Sequence, residues 1–286
     1  MKPVLRAAVL GHPIGHTMSP FLHQRLFALQ GAALEYSVLD LPELGEAQRP
    51  LLAGLDCFNI TIPHKANVIP LLDEITPKAR ACGSVNTVRV REGVFSGTTT
   101  DGEGCRRALE RHGLALSGKL LLLGNGGAAR AIAFEAAEGE GTDLTIACRE
   151  SGRPRAQALA QELRAFSPAS RVRVVSYEEL EQAREPYDLL LNTTPVGMSP
   201  KAGISPVSGE AVARCGAVFD AVYNPEETEL LKLAAKAGVP GVGGLEMLVY
   251  QAVAAHAFWF GWSFREEDLD RLIRDAREEL EKRAAL

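Results

Sequence analysis

The chain has 286 residues, enough for two ordinary domains, with 46% apolar residues and 23% charged ones mixed along its length. That balance is typical of a well-packed globular protein and excludes a disordered or fibrous one. A formal net charge of −5 with no basic cluster excludes nucleic acid as a partner, no apolar run is long enough for a signal peptide or a bilayer span, and five scattered cysteines give no disulfide framework or zinc site.

In chain order, Val4–Leu10 is an apolar run stopped by Gly11 and reads as a first strand. Ser19 offers an N-cap and Pro20 a first helical position for a helix that ends at Gly31. Glu35–Leu41 is predicted as a strand, Pro42–Leu52 as a helix, and Cys57–Ile62 as a strand halted by Pro63, with another helix after His64. Val85–Val90 and Val94–Ser96 straddle Arg91-Glu92-Gly93, which has the length and the glycine of a hairpin loop. The rhythm is that of an α/β domain with a mostly parallel sheet.

A second unit starts near Asp101. Gly102–His112 reads as a connecting helix closed by Gly113, and Lys119–Leu123 as a wholly apolar strand of the kind buried on both faces of a parallel sheet. A helix over Ala128–Ala137 follows, then strands at Leu144–Ala147, Val172–Val175, Asp188–Leu191 and Val218–Val222. From Gly244 the signal is helical, over Leu245–Phe258 and Glu266–Ala284.

Between the strand at Lys119–Leu123 and its following helix lies GNGGAAR. A sharp strand-to-helix turn calls for Gly124, close approach of a pyrophosphate for Gly126, and the first-turn amides around Gly127 and Ala128 then face an anion. At the end of the next strand an acid would bind ribose hydroxyls and an arginine a 2′-phosphate. Arg149, Arg153 and Arg155 favour the phosphate, so NADP is the expected cofactor, with Glu150 keeping NAD as the alternative. No histidine has metal-ligand spacing with acids, and a metal-free cytoplasmic protein is expected.

Hydride transfer at a carbon must be matched by proton transfer at the oxygen. Lys65 in NITIPHK can donate to a developing alkoxide, and Asp101 in GTTTDGEG can orient it and share the proton. The short hydroxyl and amide side chains around both suit a small polyol or its ketone.

Eight segments in colinear order resemble the shikimate dehydrogenase family. They are GHPIGHTMSP at 11–20, NITIPHK at 59–65, SVNTV at 84–88, GTTTDGEG at 97–104, GNGGAAR at 124–130, NTTPVGM at 192–198, VFDAVYNPEETELL at 218–231 and GLEMLVYQ at 244–251. The resemblance implies a two-domain α/β fold with a cleft between the domains. Residues 1–101 bind substrate, 102–239 form a Rossmann-type NADP domain, and 240–286 return to the substrate domain. It implies that Lys65 and Asp101 form the catalytic pair. Thr17, Ser19, Asn59, Thr61, Asn86 and Gln251 would bind the ring acid, with Tyr223 bordering the cleft. Gly124, Asn125, Gly126, Gly127, Ala128, the three arginines, Thr193, Met198 and Gly244 would hold the cofactor. The implied reaction is reversible NADPH-dependent reduction of 3-dehydroshikimate to shikimate, a step of aromatic amino acid biosynthesis, by a monomer or homodimer.

Three positions depart from the family pattern: Thr17 stands for a serine, Thr98 and Thr99 for an acid or asparagine followed by asparagine, and Glu150 for a threonine. They keep two alternatives in view. One is a quinate or aminoshikimate dehydrogenase, with NAD as a usable cofactor. The other is a non-catalytic sensor of a ring acid or nucleotide, which the presence of both Lys65 and Asp101 opposes.

Overall fold

The computed structural model describes residues 4–15, 17–138 and 142–284; His16 of the first motif lies outside them. The chain folds as two compact units, one holding the chain through Asp101 and again from Gln251, the other Gly102–Tyr250.

The first unit is built on a six-stranded sheet. Strand β1 (Leu5–Gly11) runs parallel to β2 (Leu34–Asp40) on one side and to β3 (Cys57–Ile60) on the other. Beyond β3 the sheet turns antiparallel through the hairpin of β5 (Thr87–Arg91) and β6 (Val94–Thr98), and β4 (Glu74–Ile75) closes the far edge, giving the order β2-β1-β3-β5-β6-β4. Ala7–Leu10 and Cys57–Ile60 are buried along both faces, which is why their sequences read as unbroken apolar runs save for Asn59.

Helix α1 spans Ser19–Leu29 and buries Leu22, His23, Leu26 and Phe27, one face at helical spacing. Ser19 is its first helical residue, with Met18 in the capping position and no side-chain cap bond, so the expected Ser19 cap is not made. Thr17 instead accepts from the Ser19 amide through Oγ1 at 3.2 Å.

The helix expected over Pro42–Leu52 is reduced to a 3-10 turn at Glu46–Gln48 and one turn of α2 (Arg49–Leu52). Gly45 is fully extended and Pro50 can only open a helix, so no longer one can run through them. The helix expected after His64 is likewise a series of turns ending in a 3-10 turn at Ile69–Leu71, because Pro63 and Pro70 each remove a donor. Helix α3 (Pro77–Cys82), capped by Thr76, was not anticipated from the sequence.

The second unit opens with α4 (Asp101–Arg111), whose first residue belongs to the first unit. Its strands are β7 (Lys119–Leu123), β8 (Asp143–Cys148), β9 (Arg171–Ser176), β10 (Tyr187–Asn192), β11 (Cys215–Asp220) and β12 (Gly241–Gly243), every one paired in parallel. The order is β12-β11-β10-β7-β8-β9. Renumbered from β7, that is the 3-2-1-4-5-6 order of a Rossmann sheet, with its switch point between β7 and β10. The crossovers include α5 (Gly127–Ala137), α6 (Arg153–Phe166), α7 (Tyr177–Gln182), α8 (Gly209–Val212) and α9 (Glu229–Lys236). Helix α10 (Gly244–Phe260) crosses from the second unit to the first between Tyr250 and Gln251, and α11 (Glu266–Ala284) follows.

In the first unit, the end of α10 carries His256 against His23, both fully buried, with His23 Nδ1 and His256 Nε2 2.9 Å apart. Burial pushes the His23 imidazole down to about 3 and holds His256 well below 6.5, helped by its histidine neighbour. Both are neutral in the fold, whereas in the unfolded chain each takes up a proton near pH 6.5. The unfolded state therefore binds more protons below that pH, and stability falls as pH drops from 6.5 towards 3. For His23 alone the loss between pH 7 and 5 is on the order of 2 kcal/mol. Denaturant unfolding at the two pH values should show a clearly smaller loss in His23→Phe than in the native chain; equal losses would mean that the imidazole is charged in the fold.

Candidate active site

In the first unit, the loop after β3 carries Lys65, and Asp101 opens α4 just beyond β6. Lys65 Nζ donates to Asp101 Oδ2 at 2.5 Å, with the two side chains only 17% and 7% exposed. The lysine backbone is pinned as well, since its carbonyl accepts from the Val85 amide at 2.8 Å. Next to it the buried His64 donates from Nε2 to the Leu41 carbonyl at 2.6 Å.

The second oxygen of Asp101 is also taken: Oδ1 accepts from Asn86 Nδ2 at 2.7 Å. Asn86 is itself locked, because its Oδ1 accepts from the Thr100 amide and from the Thr87 hydroxyl, both at 2.9 Å. Gln251 reaches the same amide, its Oε1 lying 3.5 Å from Asn86 Nδ2. Asn59 stands one strand away, with Nδ2 3.4 Å from both the Asn86 carbonyl and Thr87 Oγ1. Lys65, Asp101, Asn86, Asn59 and Gln251 are thus one continuous polar cluster.

Thr17 and Ser19 form a separate pair, the Thr17 hydroxyl donating to Ser19 Oγ at 3.1 Å. Thr61, partly buried, is held through its amide to the Leu10 carbonyl at 2.9 Å. Tyr36 connects the pair to the cluster, with its hydroxyl within reach of Ser19 and 3.5 Å from Asn59 Oδ1. Burial raises that phenol well above 10, so it stays a donor. Of the substituted threonines, Thr98 pairs with Thr76 at 3.0 Å and leaves Asp101 to Lys65 and Asn86.

The second unit presents a separate site at the carboxyl ends of β7 and β10. Gly124 has φ +104°, where a side chain is strained, and an added Cβ would press on Thr193 Oγ1 and Thr194 Cγ2 at 3.1 and 3.0 Å. Gly126 precedes α5 with no side-chain cap and with open space where a Cβ would stand. The N-cap of an 11-residue helix therefore offers its first-turn amides no side-chain acceptor, and a pyrophosphate fits there. Gly127 and Ala128 begin that helix, while Asn125 donates to the Gly152 carbonyl at 2.8 Å, tying this loop to the one after β8.

Thr193 binds the Leu123 carbonyl through both its amide (3.0 Å) and its hydroxyl (2.7 Å). Met198 is exposed at 44%, and its amide bonds the Pro195 carbonyl. Gly244 starts α10 so close to the Ala221 carbonyl that any side chain would collide with it. Tyr223 lies in the same unit, partly buried in the loop after β11. The three arginines are not equivalent: Arg149 and Arg155 are exposed, whereas Arg153 is bound by Glu150 at 2.7 Å and by Glu179 at 3.0 Å.

Two sets of residues escaped the sequence reading. Tyr36 sits on a strand whose alternation alone marks it as half-buried. Asn192 and Asp220, both fully buried, end β10 and β11. Asp220 accepts from Asn192 (2.9 Å), the Val222 amide (3.0 Å) and Thr228 (2.7 Å), and Asn192 in turn accepts from the amide and hydroxyl of Thr194. Burial raises the Asp220 carboxyl and these donors oppose the rise. The available signal was a polar residue closing each apolar run, LLLN and VFD.

Residues 9–88 match the family model of the shikimate dehydrogenase substrate binding domain. Over 270 residues, 93% of this chain and 95% of its relative, the chain is 40% identical to the shikimate dehydrogenase (NADP(+)) of Caldanaerobacter subterraneus subsp. tengcongensis. The crystal structure of shikimate 5-dehydrogenase from Thermus thermophilus in complex with NADP(H) and shikimate aligns with a TM-score of 0.83 at 33% identity, covering 96% of this chain and all 100% of that one. Quinate dehydrogenase from Corynebacterium glutamicum in complex with NAD aligns with a TM-score of 0.83 at 29% identity, covering 95% and 98%.

Proposed function

The chain belongs to the shikimate dehydrogenase family, and from that premise we propose that it catalyses the reversible NADPH-dependent reduction of 3-dehydroshikimate to shikimate. The observation that carries the reading is the Lys65–Asp101 pair, held at 2.5 Å and braced by Asn86 in a wall of amide and hydroxyl groups.

Bound NADP supplies or takes up the hydride at the ring carbon. Lys65 Nζ exchanges the proton with the oxygen on that carbon, and Asp101, hydrogen-bonded to Nζ, keeps it aimed. Thr17, Ser19, Asn59, Thr61, Asn86 and Gln251 supply donors and acceptors to the ring hydroxyls and carboxylate, with Tyr223 beside the ring. In the second unit Gly124, Asn125, Gly126, Gly127 and Ala128 hold the pyrophosphate at the α5 N-terminus. Thr193, Met198 and Gly244 line the nicotinamide side, and Arg149, Arg153 and Arg155 take the 2′-phosphate. In the same reading the enzyme works in the cytoplasm as a monomer or homodimer. Its five free, buried cysteines suit a reducing compartment, and no helix among the described residues is long and apolar enough to cross a membrane.

The direct test crosses shikimate and quinate with NADP⁺ and NAD⁺ and follows initial rate by nicotinamide absorbance. Turnover led by shikimate with NADP⁺ is expected; a preference for quinate or NAD⁺ would reassign the substrate or cofactor, and no turnover in any pairing would support a sensor. Glu150 bears on the cofactor half. Exposed at 67% and clamped on Arg153, it competes with a 2′-phosphate for that guanidinium and repels the dianion. Glu150→Thr should tighten NADP⁺ about two- to fivefold, roughly the value of one exposed charge, and leave NAD⁺ unchanged. Calorimetric titration of both cofactors checks this, and equal shifts for the two would clear Glu150 of any part in the choice.

A further inference from the structure

Behind the substrate wall of the first unit lies a group of side chains that the mechanism leaves unused. His23 stacks on Tyr36 with ring centroids 5.2 Å apart and planes 12° from parallel, and on its other partner His256 at 5.1 Å and 15°. Trp259, Phe27 and Trp262 surround the two imidazoles, and neither imidazole has any solvent exposure. An aromatic side chain of plain hydrocarbon would fill either place more cheaply, because each imidazole carries a polar nitrogen into the core without a closed bond: His23 Nε2 and His256 Nδ1.

The single proton between the rings decides what those nitrogens are. A neutral imidazole has one N–H. If His23 Nδ1 held the proton, His256 would carry its own N–H on Nδ1, a buried donor with nothing to meet. If His256 Nε2 holds it and donates to His23 Nδ1 at 2.9 Å, the bare nitrogen falls on His256 and His23 carries its N–H on Nε2. Either arrangement places one N–H on a nitrogen without a closed bond, a costly fault when buried, but His23 has the Asn59 side chain as a hydrogen-bonding neighbour and His256 Nδ1 has no partner, so the second arrangement prevails. The Asn59 side chain is the hydrogen-bonding neighbour of His23 besides His256, His23 Nε2 has no closed bond, and Asn59 Oδ1 accepts the long 3.5 Å bond from Tyr36, the ring on which His23 stacks. An N–H placed there meets an oxygen and turns the amide so that Nδ2 faces the Asn86 carbonyl and Thr87.

We propose that His23, fixed in one tautomer by His256, is a positioning residue that orients Asn59 and seats Tyr36 in the substrate wall. It touches neither substrate nor cofactor; it acts through Asn59. The inference rests on the reading above that Asn59 binds the ring acid.

His23→Phe keeps the ring and the stack and removes both nitrogens. It should raise KM for the ring acid about tenfold, change kcat less than twofold, and leave KM for NADP⁺ where it was. His23→Gln, which places an amide N–H near the lost Nε2, should recover most of that loss. In an Asn59→Ala background the His23→Phe effect should vanish, a coupling that loosened packing alone would not produce. An unchanged KM in His23→Phe, or a full effect without Asn59, overturns the proposal. Should His23→Phe not fold, His256→Phe frees the tautomer while leaving His23 in place and should raise the same KM; no rise would overturn it equally. Native protein that turns over no ring acid removes the parent reading and this inference together, whereas native turnover with an unaffected variant removes only this one.

Discussion

Replacing Lys65 with Ala should lower kcat for shikimate oxidation by about 10³-fold, the middle of the range for losing a positioned proton donor, with NADP⁺ affinity almost unchanged. The expectation follows from the division of labour: the lysine lies in the loop after β3, and the pyrophosphate site is built on β7 and α5. Two effects could be confused in that variant. Removing the ammonium also strands a carboxylate that is 7% exposed, and breaking a buried pair by taking one partner costs about 3–5 kcal/mol. Lys65→Arg separates them. Arginine keeps the cation beside Asp101 but does not give up its proton near neutral pH, so thermal stability should return while turnover stays at least about 10²-fold down. Steady-state rates and melting curves on both variants decide the matter; an arginine variant with near-native kcat would show that the lysine serves only as a charge.

Asp101→Asn should be no better than Asp101→Ala, each lowering kcat/KM by about 10²- to 10³-fold. Isosteric amides often rescue a carboxylate that makes one hydrogen bond. Here both oxygens accept, Oδ2 from Lys65 and Oδ1 from Asn86, and an asparagine has only one oxygen to offer. Whichever way it turns, its NH₂ faces another donor. An asparagine variant retaining a tenth or more of native kcat/KM would mean that one of the two bonds is dispensable.

The motifs that place Lys65, Asp101 and Asn86 in one polar cluster were readable because each borders a strand, Lys65 and Asp101 beyond the ends of β3 and β6 and Asn86 just before β5, where an apolar run meets short polar residues. The parallel sheet of the second unit was readable for the same reason: KLLLL, DLTIAC and YDLLLN are too apolar to be anything but strands covered on both faces. The missed elements are short or proline-punctuated. Pro50, Pro63 and Pro70 broke two expected helices into short turns, and β4, with two residues, has no period to detect. The buried histidines are a different kind of omission. His23 and His256 are 233 positions apart, and only the tertiary fold makes one the proton partner of the other. No local pattern distinguishes such a histidine from an ordinary helix residue.

The return of the chain from Tyr250 to Gln251 sets an order of assembly. Unit one needs Ala255 and Trp259 for the cluster that includes Ala7 and Cys57, and Arg89 and Arg91 bond the carbonyls of Phe258 and Trp259. Those residues leave the ribosome after the whole of Gly102–Tyr250. At synthesis rates of roughly 5–20 residues per second, the first hundred residues wait about ten seconds or more for their missing helix while the intervening unit, continuous in sequence, can close first. Residues 1–101 are thus completed only after the unit that follows them in sequence, and their half-built sheet is the surface a nascent-chain chaperone would have to cover.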